Sequence, residues 1–402
     1  MKIAVITDNF PRVSELFIAT QVVGLIERGH EVDIYATGRS SEPMHPLLEQ
    51  HRLLERTMFC PPCDSPWRLL RLLLRFGLHH PAALLPTLHA AMQSKREGGH
   101  FDRRPFWLGL SLPTRHYDVL HVHFGYNAPP IATLRRWGLL RKPRFVVTFH
   151  GCDFMPRIAR PDQYNLLFQK ADVLIHVTRF AVEQASRMGF PEEKMCIVPC
   201  GLNPALEQPL QRTPNADRPL RIAYVGRLVD LKKPLTFIEI IANLRQRDVI
   251  CTATMIGDGP LMEACRTRVA ERGVDSVITL AGACTSDRVQ ALLSESDLFL
   301  FPGGHDADGR AENQGCVAQE AQAMGLPVIC TTAGGTHESV RNGHTGYVLD
   351  EGDTEGMVEI IIQLNSQRTV LTMMGHNAHR HAIELYSNRR IIPLLEQVYQ
   401  KD

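Results

Sequence analysis

Short apolar runs recur along the chain, separated by stretches with helical spacing. Residues 3–7 (IAVIT) read as a strand. An apolar-periodic run through Phe17, Val22, Val23 and Ile26 follows, with Ser14 or its neighbour as N-cap and Gly29 as the stop before a second strand, EVDIYAT. Further strands are expected at 117–125, 144–151, 171–178 and 194–203. Prolines at 204, 209, 214 and 219 then mark a linker. LRIAYVGRL at 220–228 opens a second, independent series of alternating strands and helices, which closes with an amphipathic helix near 389–400. The pattern predicts an α/β protein of two Rossmann-like, doubly wound domains facing a cleft. The expected boundaries are 1–204, a linker at 205–219, 220–385, and a final helix at 386–402 returning to the first domain.

Within the second series, residues 297–340 are the most informative. Leu298 to Phe301 and Leu326 to Cys330 read as buried strands, and Val317 to Met324 as the helix between them. Ligands in such sheets sit beyond the carboxyl ends of the strands. Glu312, Asn313, Gln314 and Gly315 open the helix there, so their amides are expected to face an anion.

A different pattern appears at 66–80, where WRLLRLLLRFGLHH puts Arg68, Arg71 and Arg75 on one helical face. Trp67, Leu70, Leu73, Leu74 and Phe76 cover much of the rest. Two readings fit: a helix lying on an anionic membrane surface, or a core helix with a solvated arginine stripe.

Composition narrows the class. The chain has 402 residues, ordinary hydrophobic content at 44% and a formal net charge of +1, which argues against bulk capture of nucleic acid. The start, MKIAVITDNF, has neither the apolar core nor the cleavage site of a signal peptide, and no run suits a spanning helix. Ten scattered cysteines fit reduced thiols, so a cytoplasmic protein is expected, peripheral at the inner face of the cell membrane if 66–80 binds lipid. Cys60-Pro-Pro-Cys63 has no second metal-ligand pair and reads as a turn.

Candidate chemistry gathers at strand ends. His150 falls at a carboxyl end just before Gly151, with Asp153 close behind, whereas His121 reads as interior by alternation. His123 and His150 lack a third ligand at metal spacing, so no metal is expected. The G-x-G-x-x-G dinucleotide fingerprint is absent after the first strand. In the second domain, Gly226-Arg227 follows a strand and Lys232 comes five residues later. Arginine grips two phosphate oxygens and lysine adds a compact charge, so the pair suits a diphosphate, although surface charge at a strand end also explains it.

With these residues in view, the chain resembles the retaining GT-B glycosyltransferases of family 4 (glycosyltransferase group 1), whose motif is Glu-x7-Glu. The matching pieces are Glu312-x7-Glu320, VGRLVDLKK, IGDGP, EAQAMGLPVICTTAGG and VTFHGCD, in the family's order. FPRVSELFI is similar to the acceptor-domain opening of bacterial exopolysaccharide and colanic-acid-type enzymes. The resemblance implies a nucleotide-diphosphate sugar, UDP- or GDP-linked, held mainly by the second domain. Arg227 and Lys232, beside Gly226, would hold the diphosphate, Glu320 the ribose, and Glu312 the sugar near its reacting carbon. The amides and side chains of Asn313, Gln314 and Gly315 would complete the donor site. His150 would serve the transferred sugar, and Ser14, Glu15 and Asp153 would lie toward a glycan or lipid-linked glycan acceptor. No cofactor is implied.

Departures are few. Asn313-Gln314 replaces the common Gly-Phe or Gly-Ile and is expected to mark a particular sugar, Gly303 replaces a frequent serine, and Asn203 a usual aspartate. None removes a charge that the implied mechanism needs. Two other readings share the architecture: a nucleotide-sugar 2-epimerase, and a non-catalytic sugar-nucleotide-binding protein.

Overall fold

The computed structural model describes residues 1–42, 44–61, 65–96, 102–151, 153, 164–208 and 218–400. Two compact units result. One comprises Met1–Val177, Val182–Val198 and Ile392–Asp402, the other Thr178–Ala181 and Pro199–Ile391.

The first unit is built on seven strands: β1 (Lys2–Phe10), β2 (Glu31–Arg39), β3 (Thr57–Phe59), β4 (Val119–His123), β5 (Arg144–Phe149), β6 (Val173–His176) and β7 (Met195–Ile197). All neighbours pair in parallel, in the order β3-β2-β1-β4-β5-β6-β7. Ile3, Val5 and Ile6 are fully or almost fully buried because a parallel sheet is covered on both faces, which is why β1 reads as an unbroken apolar run. The second unit repeats the plan with β8 (Leu220–Val225), β9 (Cys251–Ile256), β10 (Ile278–Gly282), β11 (Leu298–Phe301), β12 (Val328–Thr331) and β13 (Gly346–Leu349). Its order is β10-β9-β8-β11-β12-β13. In each sheet the winding reverses beside the first strand, between β1 and β4 and between β8 and β11. Loops leaving adjacent strands diverge there, at the carboxyl ends where ligands of such sheets sit.

Local details differ from the sequence reading. The first helix runs Leu16–Glu27 behind a 3-10 turn at Val13–Glu15, and neither Ser14 nor Glu15 caps it through a side chain. The turn itself supplies a bond, from the Glu15 amide to the Arg12 carbonyl at 3.1 Å, while the Glu15 carboxylate turns back to the Arg12 guanidinium. Of the expected linker, Pro204–Glu207 is a 3-10 turn capped by Asn203, and 209–217 lie outside the described residues, as does Cys63.

The final helix, Asn388–Gln400, begins in the second unit and ends in the first. Glu396 accepts two bonds from Arg28, at 2.8 and 2.6 Å, and one contact from His30 at 2.8 Å. Among the described residues, no helix is long and apolar enough to cross a membrane.

Candidate functional site

The second unit carries the charged groups. Its first strand, β8, delivers Gly226 and Arg227, and a 3-10 turn at Asp230–Lys232 then folds Lys232 back over the sheet. Tyr224 fixes that turn, its hydroxyl donating to the Lys232 carbonyl at 3.3 Å. The lysine ammonium stands 5.1 Å from the centroid of the Phe301 ring at the end of β11 and forms an ion pair with Glu312. Both side chains are mostly shielded, so the pair is screened less than a surface pair. Gly226 is bare where the lysine stem passes; a Cβ there would touch Lys232 Cδ at 3.5 Å. Arg227 is exposed and makes no ion pair among the described residues.

The loop bearing Glu312 is held by backbone contacts. Gly335 donates to the Glu312 carbonyl at 2.9 Å. Gly334 has φ +75, and a Cβ there would come within 2.1 Å of the same oxygen, so only glycine fits. Gly315 is left-handed, at φ +66, and the helix Cys316–Ala323 starts immediately after it. Among the described residues, the amides of Asn313, Gln314 and Gly315 donate to no protein acceptor. Three such donors at a helix N-terminus suit an anion.

The two side chains expected to read the sugar are engaged elsewhere. Gln314 is buried; its carbonyl accepts from the Cys200 amide at 2.9 Å, and its amide donates to the Cys200 carbonyl at 3.1 Å and to Gln319 at 2.9 Å. It clasps the segment around Cys200. Asn313 accepts from Thr178 at 3.1 Å, while its buried Nδ2 has no partner among the described residues.

Glu320 lies one helical turn inside the helix. It keeps an edge toward solvent, yet protein packs densely around it, and this desolvation pushes its carboxyl up to about 7. No described residue donates to it. A half-wet carboxylate without a partner is suited to a ligand bearing hydroxyl groups.

The first unit presents the opposite chemistry. His121 and His123, two residues apart on β4, stack with centroids 4.5 Å apart. His121 is bonded to Thr148 and to Tyr399, each at 2.7 Å. Gln21 Nε2 donates to His123 Nε2 at 3.4 Å, which leaves the His123 proton on Nδ1, facing His150 Nε2 at 3.0 Å. His150 therefore carries its own proton on Nδ1. Phe17 and Phe124 flank its ring, at 4.6 and 4.7 Å. Burial lowers all three histidines, His123 to about 3, so the chain is neutral at pH 7. Signals for it existed in VLHVH, where alternation puts both histidines on one face; the partners Gln21 and Tyr399 lie too far along the chain to be read.

Asp153 does not extend toward an acceptor. It is buried, and its two oxygens accept from the amides of Gly125 (2.7 Å), His150 (3.0 Å) and Gly151 (2.9 Å). Burial pushes its carboxyl up to about 6 against those bonds. It clamps the loops after β4 and β5 together. Ser14 is exposed, and Glu15 is nearly buried against Arg12, which leaves Ser14 as the accessible member of that pair.

Comparison with known proteins supplies the family. Residues 14–206 match the profile of Glycosyltransferase Family 4, and residues 219–367 that of Glycosyl transferases group 1. The amylovoran biosynthesis glycosyltransferase AmsK of Erwinia amylovora is 28% identical over 371 residues, 91% of each chain. A putative colanic acid biosynthesis glycosyltransferase, WcaL of Salmonella typhimurium, is 27% identical over 99% of this chain and 100% of its own. Among solved structures, Anabaena HepE in complex with UDP superposes with a TM-score of 0.72 at 16% identity, covering 99% of both chains, a likeness of fold. With both profiles matched in order on two doubly wound units, the chain belongs to the family 4, group 1 glycosyltransferases of GT-B architecture.

Proposed function

We propose that the protein is a retaining hexosyltransferase that moves a hexose from a nucleoside diphosphate sugar to a lipid-linked or polysaccharide acceptor in bacterial exopolysaccharide synthesis. The observation that carries this is the set at the carboxyl ends of β8 and β11: Lys232 against Glu312, with Arg227 and Glu320 unpartnered among the described residues. Arg227 and Lys232 hold the diphosphate and neutralise charge as it leaves. The amides of Asn313 to Gly315 add donors, Glu320 takes the ribose hydroxyls, and Glu312 the sugar. The bond from the anomeric carbon to the diphosphate oxygen breaks while the acceptor oxygen bonds the same face. The acceptor's proton passes to the departing phosphate oxygen, so no side chain need act as base. His150, its Nδ1 protonated, donates to a sugar hydroxyl. The relatives' names support the polysaccharide assignment, and the UDP complex of the HepE neighbour supports a nucleotide donor.

The deciding experiment pairs a thermal-shift screen of UDP, GDP and their sugars with an assay of donor alone. A nucleotide that binds the native state raises its melting temperature. Transfer that requires an acceptor and keeps the anomeric configuration supports the proposal. Epimer formation from donor alone would make the protein a 2-epimerase instead, and a nucleotide-dependent shift with neither transfer nor epimer would leave the non-catalytic, sugar-nucleotide-binding reading.

A further inference from the structure

Helix Pro66–His79 buries little of its apolar surface. Phe76 is its one buried residue, packed edge-on to Phe106 at 5.1 Å over Gly109, whose missing Cβ makes room for the ring. His80 reinforces this attachment through a 3.0 Å contact with the Gly109 carbonyl. The helix is thus anchored from behind and leaves its outer surface uncovered.

That surface has two stripes. At about 100° per residue, Trp67, Leu70, Leu74 and Leu78 fall on one arc, and Arg68, Arg71 and Arg75 on the arc beside it. Trp67 is 79% exposed and Leu78 81%. The next helix, Pro81–Arg96, adds Leu85 and Met92. Six of the twelve large apolar side chains exposed among the described residues fall between positions 67 and 92, whereas the others are scattered along the chain. Arg71 and Arg75 make no ion pair among the described residues. From Ser65 to Arg96 the sequence has no aspartate or glutamate but five arginines and lysines.

We infer that this helix pair seats the first unit on a bilayer bearing anionic lipid. The tryptophan and leucines enter the acyl boundary, and the arginines stay level with the phosphates. Charge complementarity selects this occupant over a second copy of the chain, because two like stripes of arginine would repel. An apolar stripe edged by arginine and tryptophan is the surface such an interface favours. The inference stands on the helix surface and does not depend on the donor assignment.

Co-sedimentation tests it, using vesicles of phosphatidylcholine alone and of mixed phosphatidylcholine and phosphatidylglycerol. The full chain should pellet with the mixed vesicles at low salt and be released at high salt. Replacing Arg68, Arg71 and Arg75 together by Gln should lower the partition coefficient roughly a hundredfold, at about a factor of five per arginine. Leu74→Ser with Leu78→Ser should abolish binding while far-UV circular dichroism stays unchanged. Indole fluorescence should shift to the blue on binding, and Trp67→Phe should remove the shift. Absence of sedimentation with mixed vesicles, or equal binding by the Gln variant, would overturn the inference. So would a wild-type dimer that the Leu→Ser variant converts to monomer, since the face would then join two copies.

Discussion

The two units share one strand order and reverse their winding at the same place, yet their carboxyl-end loops carry opposite electrostatics. In the second unit the loops after β8 and β11 present Arg227, Lys232 and Glu312, and the helix after β11 presents Glu320: an ion pair plus two charged groups unpartnered among the described residues. In the first unit β4 and the end of β5 bring three neutral histidines together, His121 stacked on His123 and His123 bonded to His150. Topology therefore fixes where a ligand sits and leaves its chemistry to the side chains. On the proposed function, a leaving diphosphate calls for charge, whereas orienting a neutral sugar hydroxyl calls for a fixed donor.

The largest expected effect tests the charged half. Lys232→Ala should lower kcat/KM about a thousandfold, the loss typical of removing one preorganised group that stabilises developing charge. Far-UV circular dichroism should stay unchanged, although the melting temperature should fall because the mostly shielded Glu312 loses its partner. An unchanged kcat/KM would erase the electrostatic contrast between the units. Next comes the neutral half: His123→Phe keeps a ring but deprives both His150 Nε2 and Gln21 of a partner. A stability loss of about 2 kcal/mol in urea is expected, together with weaker turnover. In the wild type, NMR titration should find His150 unprotonated throughout pH 5–8; titration near its ordinary value would break the premise of neutrality.

Glu320 gives the smallest effect and sharpens the comparison, because it is a buried group on the charged side. Its folded value, about 7, lies above the ordinary 4.5. Hydroxyl donors on a ligand favour its ionised form, so nucleoside affinity should rise about tenfold between pH 6 and 8, and Glu320→Gln should flatten that slope. Stability runs the other way. Between about 4.5 and 7 the folded chain holds the proton that the unfolded chain has lost, so stability falls as pH rises through that window. The Gln variant should accordingly melt higher at pH 8 and no higher at pH 4. Its wet edge makes the difference less than the full shift implies. Calorimetry at both pH values checks it.

Much of the scaffold was legible because parallel strands are buried on both faces and announce themselves as apolar runs, IAVIT, RIAYV and LFLF among them. Lys232 and Glu312, eighty residues apart, form an ion pair, and the strand ends that carry them were visible as apolar runs. Side-chain direction was harder. Gln314 and Asp153 sit beside expected site residues and look available in sequence, but unpaired backbone groups nearby claim them first, since a buried amide or carbonyl without a partner is costly. Helix capping failed to show for the same reason of distance. Glu338 accepts from the amides of Arg179 and Phe180, at 2.9 and 2.7 Å, across more than 150 positions of chain.

The contact between His121 and Tyr399 spans 278 positions, and that between Arg28 and Glu396 spans 368. A ribosome releases the first unit's seven strands long before it releases these two partners. During that interval the N-terminal sheet can form, but a buried imidazole lacks its phenol and a basic edge lacks its carboxylate. Completing the first unit thus depends on residues that emerge only after most of the second unit has been made. Its first unit waits, incomplete, for residues made well after its sheet, and a chain stopped before them should become a substrate for chaperones and proteases.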